Sequence, residues 1–370
     1  MTDQEYMQLA LQLAKAANGQ TSPNPMVGAV VVKDGKVVGI GTHLQAGTAH
    51  AEVHALNMAG EHAHGSTVYV TLEPCSHYGK TPPCANLLID KGVKRVVIAA
   101  TDNNPLVAGK GIQRLRDAGI TVETGLLEQE ARALNTVFFH YIETRRPYVT
   151  LKTAMSLDGK IATSTGESKW ITGEAAREDV HRYRHEHDAI LVGVNTVITD
   201  NPRLTTRLPN GGKNPIRVIL DTHLCTPRHA NIVTDEMAPT WLITGSQVPK
   251  EKRQRYENGF VKVFPMDTEH IHIPDLLAFL GTKEISSLFV EGGQRVHASF
   301  LKEGCWNQLI TYISPMLIGG HNAPSFFGGD GFSSLQDAPS LSIESMEQIG
   351  KDIKIVATPR KEGSHVYRNY

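Results

Sequence analysis

Three side chains between residues 50 and 84 are of the kinds that bind zinc: the imidazole of His50 and the thiols of Cys75 and Cys84. Three protein ligands instead of four leave one coordination position for water, as a catalytic zinc site requires. Such a water ionises near neutral pH, with a pKa of about 7. Glu52, two residues after His50, is a carboxylate that can transfer protons without binding the metal. These residues therefore predict a hydrolytic zinc site with Glu52 as its acid and base.

The spacing also predicts the elements that position these groups. In the middle of a helix, side chains two residues apart point to opposite sides. His50 and Glu52 can therefore serve one metal only where a helix begins. Cys75 follows the β-rich run 67–72, and Cys84 opens a second segment with helical spacing. A helix N-terminus favours a thiolate, because its free amides and dipole stabilise negative charge. We therefore expect two helix starts and one strand end to meet at the metal.

Two other metal sites are compatible with this stretch. His50 and His54 have the spacing of a helical two-histidine site, but that pattern needs a glutamate directly after the first histidine, and Ala51 stands there. A closed structural zinc site would take His54 or His77 as a fourth ligand. The glutamate and the proline of the motif favour the catalytic site, and we interpret His54 as an ordinary helix residue.

The pattern of His50-Ala51-Glu52 with Pro74-Cys75 is the signature of zinc nucleobase deaminases, although the two cysteines here are separated by an eight-residue loop, 76–83. The run from Pro74 to Cys84 closely resembles the deaminase half of the bifunctional riboflavin biosynthesis proteins. That family joins a diaminohydroxyphosphoribosylaminopyrimidine deaminase to a 5-amino-6-(5-phosphoribosylamino)uracil reductase. The resemblance covers essentially the whole chain.

Motifs in the second half resemble the reductase of that family. They are Ser156–Ala162, Ser168–Thr172, Gly193–Thr196, Asp200–Leu204, Glu291–Gly293 and Ser314-Pro315. The resemblance implies an α/β protein with an N-terminal cytidine-deaminase-like three-layer domain and a C-terminal dihydrofolate-reductase-like domain. We place the zinc-dependent deaminase in residues 1–145 and the NADPH-dependent reductase in residues 146–370, with the joint at Arg145-Arg146-Pro147.

Hydrophobic periodicity supports an α/β chain in both halves. In the first half it predicts helices at 5–17, 50–59, 84–91, 111–118 and 128–144, and strands at 29–32, 36–40, 67–72, 95–100 and 120–123. In the second half it predicts strands from 148 and at 189–194, 216–221, 240–244 and 287–290, and a helix at 295–301. No G-x-G-x-x-G follows a strand, which argues against a standard Rossmann site. The Glu291-Gly292-Gly293 turn before a helix is the best candidate for a phosphate cradle, although an ordinary βα turn would have the same pattern.

The resemblance implies the remaining site residues, position by position. The deaminase substrate would contact Asn24, His43, Lys80, Asp102 and Asn104, each of which could otherwise be an ordinary turn residue. The NADPH site would include Ala154, Trp170, Thr196, Asp200, Thr222, Gly293, Gln294, Arg295, Val296, His297, Ala298 and Ser299. The reductase substrate would contact Lys152, Ser168, Arg184, Leu204, Arg207 and Glu291. Arg184 could instead lie on a solvated helix face.

Two reactions follow from the resemblance. Zinc-activated water would replace the C2 amino group of a pyrimidinone phosphate, with Glu52 moving the protons. NADPH would then give hydride to C1′ of the ring-opened ribosyl group, with Lys152, Asp200 and Glu291 all open as proton donors. A nucleic-acid-editing zinc deaminase with an appended binding domain, a single-activity enzyme and a non-catalytic zinc protein are the alternatives.

Composition limits the partners and the compartment. The 370 residues are enough for two domains, and the net charge of −1 offers no basic surface for nucleic acid. Four cysteines, two of them assigned to zinc, suit a reducing cytosol, and we expect no disulfide at Cys225 or Cys305. We find no apolar run of membrane-spanning length and no signal peptide. We expect a cytoplasmic homo-oligomer that acts on small phosphorylated pyrimidine nucleotides and uses Zn²⁺ and NADPH.

Overall fold

The chain divides into two units, residues 1–146 and 147–370. The structure is a computed structural model that describes residues 1–76, 82–103 and 108–360. Among these residues, no helix is both long and apolar enough to cross a membrane.

The first unit is built on a five-stranded sheet with the strand order β2-β1-β3-β4-β5. Its strands are β1 (Gly28–Lys33), β2 (Lys36–Thr42), β3 (Thr67–Leu72), β4 (Arg95–Ala100) and β5 (Thr121–Thr124). Its helices are α1 (Asp3–Lys15), α2 (Ala51–Ala59), α3 (Cys84–Asp90), α4 (Lys110–Asp117), α5 (Glu128–Leu134) and α6 (Thr136–Thr144), and Gly60–Ala63 form a short 3-10 helix. β1 and β2 form the expected hairpin around Asp34-Gly35, and β3, β4 and β5 are parallel.

Helices cover both faces of this sheet, which makes the unit three layers thick. One apolar core joins α2, α3 and α4 to the sheet, and the other joins α1, α5 and α6 to it. The central strands β1, β3 and β4 are buried on both faces, so they read as continuous apolar runs. The carboxyl ends of β3 and β4 lead into the loops that carry Cys75 and Asp102.

The expected single helix at 128–144 is wrong, because the chain forms two helices that meet at Asn135. This residue is buried, and its backbone leaves the helical region with φ −109°. Its side-chain amide donates to the Met26 carbonyl (2.9 Å) and accepts from the Met26 amide (2.8 Å). An asparagine that satisfies a distant backbone in this way gains two hydrogen bonds, and helical spacing alone does not reveal such a break.

The second unit contains a nine-stranded sheet with the order β10-β9-β8-β7-β11-β6-β12-β14-β13. Its strands are β6 (Tyr148–Ser156), β7 (Ala189–Gly193), β8 (Ile216–Leu220), β9 (Thr240–Thr244), β10 (Val261–Pro265), β11 (Ser287–Val290), β12 (Gln308–Ser314), β13 (Leu341–Ile349) and β14 (Asp352–Pro359). Its helices are α7 (Glu174–Glu186), α8 (Val194–Asp200), α9 (Asn231–Thr234), α10 (Lys250–Gln254), α11 (Ile273–Thr282) and α12 (Gln294–Lys302).

The strands from β10 to β12 are parallel, and β13 and β14 add an antiparallel edge. Apolar cores lie on the two faces of the sheet. β7 and β11 lie side by side, and each leads to a helix with a glycine as its N-cap residue: Gly193, the last residue of β7, before α8, and Gly293, three residues after β11, before α12. Four strands, β10, β12, β13 and β14, were not predicted. β13 is mostly exposed, so it carries no buried apolar pattern.

Candidate active sites

The three predicted zinc ligands meet in the first unit. His50 is the N-cap residue of α2 with extended backbone, Cys84 is the first residue of α3, and Cys75 follows the end of β3. The Nδ1 atom of His50 lies 3.3 Å from Sγ of Cys84 and 3.6 Å from Sγ of Cys75. All three ligand atoms lie within 4.8 Å of one another. The two helix starts and the strand end therefore converge as the spacing predicts; we call this group, with Glu52, the zinc cup.

The chemistry of the zinc cup fits a zinc ion. A hydrogen bond from the Cys84 thiol, aided by the His50 imidazole and the Cys84 amide, lowers the pKa of Cys75 to about 4 against the effect of burial. The hydrogen bond that the Cys84 thiol donates to Cys75, together with burial, raises the pKa of Cys84. The hydrogen bond to Cys75 raises the pKa of His50. One thiolate is thus formed already, and a divalent cation can replace the protons that the three groups share.

The ligand group has three members in the described part of the chain, which suits an open coordination position. His54, considered above as a fourth ligand, lies exposed on α2 and outside the group. His77, the other alternative, lies outside the described residues, as does Lys80.

Glu52 lies in the first turn of α2 and is 3% exposed. Burial, together with the negative charge of Cys75, raises its pKa to about 7. A carboxyl group with a pKa near neutrality can both accept and return a proton at physiological pH. Glu52 therefore has the position and the acidity that proton transfer beside a metal requires.

Asn24 and His43 are in contact next to the zinc cup. The Asn24 amide nitrogen lies 3.1 Å from Nε2 of His43, and Nδ1 of His43 lies 3.2 Å from the Ala49 carbonyl oxygen. Burial lowers the pKa of His43, so the ring is neutral. The amide donates and the carbonyl accepts, which assigns the ring proton to Nδ1. The ring meets that of His50 edge-on, with centroids 5.3 Å apart.

Of the two further predicted substrate contacts, Asp102 and Asn104, the structure describes the first. Asp102 is buried at the end of β4, and its backbone amide faces the side chain of Glu73 (3.4 Å). Asn104 lies outside the described residues. Glu73 itself was not selected from the sequence, although an acidic residue directly after a buried strand is an unusual placement that could have identified it.

The second unit contains a cleft of about 1470 Å³ that collects most of the predicted reductase residues. Those that line it are Lys152, Ala154, Ser168, Trp170, Arg184, Thr196, Asp200, Arg207, Thr222, Glu291, Gly293, Gln294, Arg295, Val296 and His297. Among the described residues, Leu204, Ala298 and Ser299 are the predicted ones that do not line it. Leu204 is buried in the core, and Ser299 is exposed on α12.

A buried ion cluster lies at the floor of this cleft. Glu291 accepts a hydrogen bond from Nε of Arg184 (2.7 Å) and lies 3.5 Å from Nζ of Lys152. Burial alone would raise the pKa of Glu291, but the charges of Arg184 and Lys152 lower it to about 2. Arg184 also donates to the Thr205 carbonyl (3.0 Å), and its side chain is 12% exposed. Arg184 is therefore not on a solvated helix face.

The groups around the cleft fit a dinucleotide. A Cβ atom added to Gly293 would meet nothing within 4 Å, so there is space beside the start of α12 on the cleft, where a helix N-terminus can bind a phosphate. Trp170 is 66% exposed in the cleft, and the Arg177 guanidinium lies 4.7 Å from the centre of its ring. Such a ring can stack on a flat heterocycle with its other face.

Sequence reasoning missed several residues of the cleft. Arg177 and His181 both project from α7, and Tyr312 and Phe326 come from distant parts of the unit. Burial and the charges of Arg184 and Arg207 lower the pKa of His181 to about 4. Regular spacing on α7 could have suggested its two residues, whereas the others depend on tertiary structure alone.

The fold and the two sites define a two-domain α/β enzyme, with a deaminase-type zinc cup in one unit and a dinucleotide-type cleft in the other. Residues 1–100 match the cytidine and deoxycytidylate deaminase zinc-binding region, and residues 147–355 match the RibD C-terminal domain. The chain is 56% identical to riboflavin biosynthesis protein RibD of Bacillus amyloliquefaciens, over 99% of this chain and all of that one. It is 41% identical to the Escherichia coli protein of the same name, over 95% of this chain and 98% of that one.

Solved structures agree with these matches. RibD of Acinetobacter baumannii superposes with a TM-score of 0.88 at 40% identity, covering 97% of this chain and 99% of that one. A diaminohydroxyphosphoribosylaminopyrimidine deaminase/5-amino-6-(5-phosphoribosylamino)uracil reductase of Thermotoga maritima gives a TM-score of 0.87 at 36% identity, covering 96% and 98%. The chain belongs to the RibD family of riboflavin biosynthesis proteins. The predicted fold class and the bifunctional deaminase–reductase function are confirmed, and the nucleic-acid-editing alternative finds no support.

Proposed function

We propose that residues 1–145 deaminate 2,5-diamino-6-ribosylamino-4(3H)-pyrimidinone 5′-phosphate at the zinc cup, and that residues 146–370 reduce the ribosyl group of the product in the cleft with NADPH. The observation that carries this proposal is the convergence of His50, Cys75 and Cys84 beside the buried carboxyl group of Glu52. The activity that the Thermotoga maritima relative is named for supports the substrate.

In the deaminase unit, His50, Cys75 and Cys84 would hold zinc, which when bound makes a water molecule acidic enough to attack at neutral pH. Glu52 would accept one proton from the attacking water and pass it to the ring nitrogen as the C2–O bond forms. It would then carry the second proton, from the new C2 hydroxyl, to the amino group, which leaves as ammonia when the C2–N bond breaks. The neutral ring of His43 and the amide of Asn24, already held in place by their hydrogen bond, are positioned to contact the substrate.

In the cleft, bound NADPH supplies a hydride to C1′, and the protein must bring one proton and orient both molecules. Glu291 is held as an anion by two cations, so it is not the proton donor. Asp200 lies 3.7 Å from Nζ of Lys169, and its side chain is 35% exposed, so it stands apart from the buried ion cluster. Lys152 remains as the candidate at the cleft floor, where Glu291 orients its Nζ atom (3.5 Å). We assign the proton transfer to Lys152.

The same geometry separates the roles of Arg184 and Arg207, the two arginines predicted to contact the reductase substrate. Arg184 already donates to Glu291 and to Thr205, so it fixes the anion that orients Lys152. Within the described part of the chain, Arg207 donates a hydrogen bond to the nearby Thr205 hydroxyl (3.3 Å) and takes no part in the ion cluster, so its guanidinium is the better partner for the substrate phosphate.

A two-stage assay on zinc-loaded protein tests the proposal. Ammonia release from the diaminopyrimidinone phosphate is followed first, and NADPH is then added while its absorbance is monitored. Ammonia followed by NADPH oxidation is the expected result. Ammonia without oxidation would remove the reductase half of the proposal, and no ammonia would remove the assignment of the zinc cup.

We also propose that the protein is a cytoplasmic homo-oligomer. The edge strand β13 supports an assembly, because Ile343 and Met346 are 65% and 69% exposed on a strand with one open side. Light scattering on the wild type and on an Ile343→Lys, Met346→Lys variant tests this. A monomeric wild type would contradict it, and so would a double variant of unchanged mass.

A further inference from the structure

Glu73 is a buried carboxylate that the deaminase mechanism does not use. It stands between the end of β3 and Pro74-Cys75, and it is 4% exposed. In the part of the chain that the structure describes, it has no ion-pair partner. Burying a carboxylate costs free energy unless hydrogen bonds satisfy it, so the hydrogen-bond partners of Glu73 indicate its role.

Four backbone amides surround the Glu73 carboxylate. Oε1 accepts from Gly111 (3.0 Å) and Ile112 (3.3 Å), and Oε2 accepts from Gly109 (3.0 Å) and, at 3.4 Å, Asp102. Gly109 is the N-cap residue of α4 and has no side chain to cap the helix. Glu73 therefore caps α4 from a distant strand, and the positive end of the helix dipole stabilises its charge.

Close packing joins the same two segments. A Cβ atom on Gly111 would lie only 2.1 Å from the Pro74 carbonyl oxygen, so the first turn of α4 lies directly against the residue before Cys75. One turn further on, Nη1 of Arg114 approaches the Ser76 carbonyl oxygen at 3.4 Å. The start of α4 thus contacts the residues on both sides of Cys75.

We propose that Glu73 is a positioning residue of the deaminase, which fixes Pro74-Cys75 and Asp102 relative to each other through the start of α4. This inference rests on the proposed function, because Asp102 is a predicted contact of the deaminase substrate. A simple N-cap within α4 would stabilise the helix equally well, but it would leave the positions of Cys75 and Asp102 independent of each other. The carboxylate of Glu73 instead makes the position of Asp102 depend on the position of Cys75.

The test replaces Glu73 with glutamine, which has the same shape but presents an NH₂ group to two of the four amides. In zinc-loaded Glu73→Gln, we expect the deaminase KM to rise about tenfold or more, with a smaller change in kcat. Bound zinc, measured by mass spectrometry of the metal, should stay at the wild-type level, because all three ligands remain. Reductase activity on the preformed uracil substrate is the internal control for the amount of protein and the folding of the second unit, and calorimetry reports the folding of the first.

Two further variants refine the test. Glu73→Asp keeps both acceptor oxygens but is one methylene shorter, so its KM should lie between those of the wild type and Glu73→Gln. Gln113→Ala changes an exposed residue of the same helix and should leave KM unchanged. If Glu73→Gln does not fold, Glu73→Asp and Gly111→Ala replace it in the test. The alanine methyl group would displace Pro74, whereas the Glu73 carboxylate remains present.

The outcomes separate the two proposals. A wild type that releases no ammonia overturns the proposed function. An active wild type with Glu73→Gln within twofold in KM overturns only the positioning role. A loss of activity that follows loss of zinc or a lower Tm in calorimetry, at unchanged KM in the remaining active fraction, assigns Glu73 a purely structural role and also overturns it.

Discussion

The zinc cup and the cleft differ in how far apart in the sequence their charged groups lie. The zinc cup draws its four chemical groups from residues 50–84, and each lies at a strand end or a helix start. The ion cluster of the cleft joins Lys152 on β6, Arg184 on α7 and Glu291 after β11. The first arrangement is set by local structure, whereas the second forms only when a parallel sheet brings distant strands together.

The two sites also hold their acids in opposite states. Glu52 is buried beside a thiolate, and its pKa is raised to about 7, whereas Glu291 is buried between two cations, and its pKa is lowered to about 2. Both carboxyl groups are buried, so the charge of the neighbouring groups decides whether the pKa rises or falls. One acid is suited to moving protons, and the other to remaining an anion that orients its partners.

The largest effect should come from removing the proton-transfer acid. Glu52→Gln should lower deaminase kcat by about 10³-fold, because the water keeps its proton. Bound zinc and reductase activity should not change, and Glu130→Gln, an exposed glutamate of the same unit, is the matched control. Substantial ammonia release by Glu52→Gln would remove the contrast between the two acids.

Glu291 should affect stability in the pH range where its carboxylate is charged. Its pKa in the folded state lies below the ordinary 4.5, so its contribution is complete above pH 4.5 and is lost as the pH falls toward 2. The contribution is on the order of 3 kcal/mol. The free energy of unfolding of the wild type should therefore exceed that of Glu291→Gln at pH 7, and the difference should shrink below pH 4.5.

Urea unfolding followed by tryptophan fluorescence measures this difference, because all three tryptophans, Trp170, Trp241 and Trp306, lie in the second unit. Glu178→Gln removes an exposed glutamate of α7 and should show no such pH dependence. A difference between wild type and Glu291→Gln that is constant with pH would mean that the ion cluster does not hold Glu291 as an anion.

Lys152→Met tests whether an ammonium group transfers the proton in the cleft, as the carboxyl group of Glu52 does in the zinc cup. Reductase kcat should fall by about 10²-fold, with the KM for NADPH and the deaminase unchanged. Lys169→Met removes a half-exposed cation from the same cleft and should cost much less. Equal losses in the two variants would mean that the positive charge of the cleft matters, and not a particular donor.

The smallest effect should come from the stacking surface of the cleft. Trp170→Ala should raise the KM for NADPH about fivefold, because the exposed ring and its Arg177 partner offer a flat face to the cofactor. Trp170→Phe should retain part of that affinity. If alanine and phenylalanine behave alike in NADPH titrations, the ring does not stack on the cofactor.

The same difference in sequence distance explains what could be predicted. His50, Glu52, Cys75 and Cys84 follow from residue types and from the periodicity that places each at an element end. The pairing of Lys152 and Arg184 with Glu291 could not be predicted, because it depends on the strand order of the nine-stranded sheet. Glu73 was not predicted for a related reason. Its four partners are backbone amides, which almost every residue has, so no side-chain pattern in the sequence indicates them.

The break at Asn135 limits how the chain could be divided. The matched zinc-binding region ends at residue 100, which suggests a short, portable catalytic module. Yet the side chain of Asn135 satisfies both backbone groups of Met26, two residues after Asn24. A gene fusion or a recombination event that kept only residues 1–100 would separate that turn from its support. A fragment of this deaminase that keeps the Met26 turn supported should therefore extend at least to Asn135.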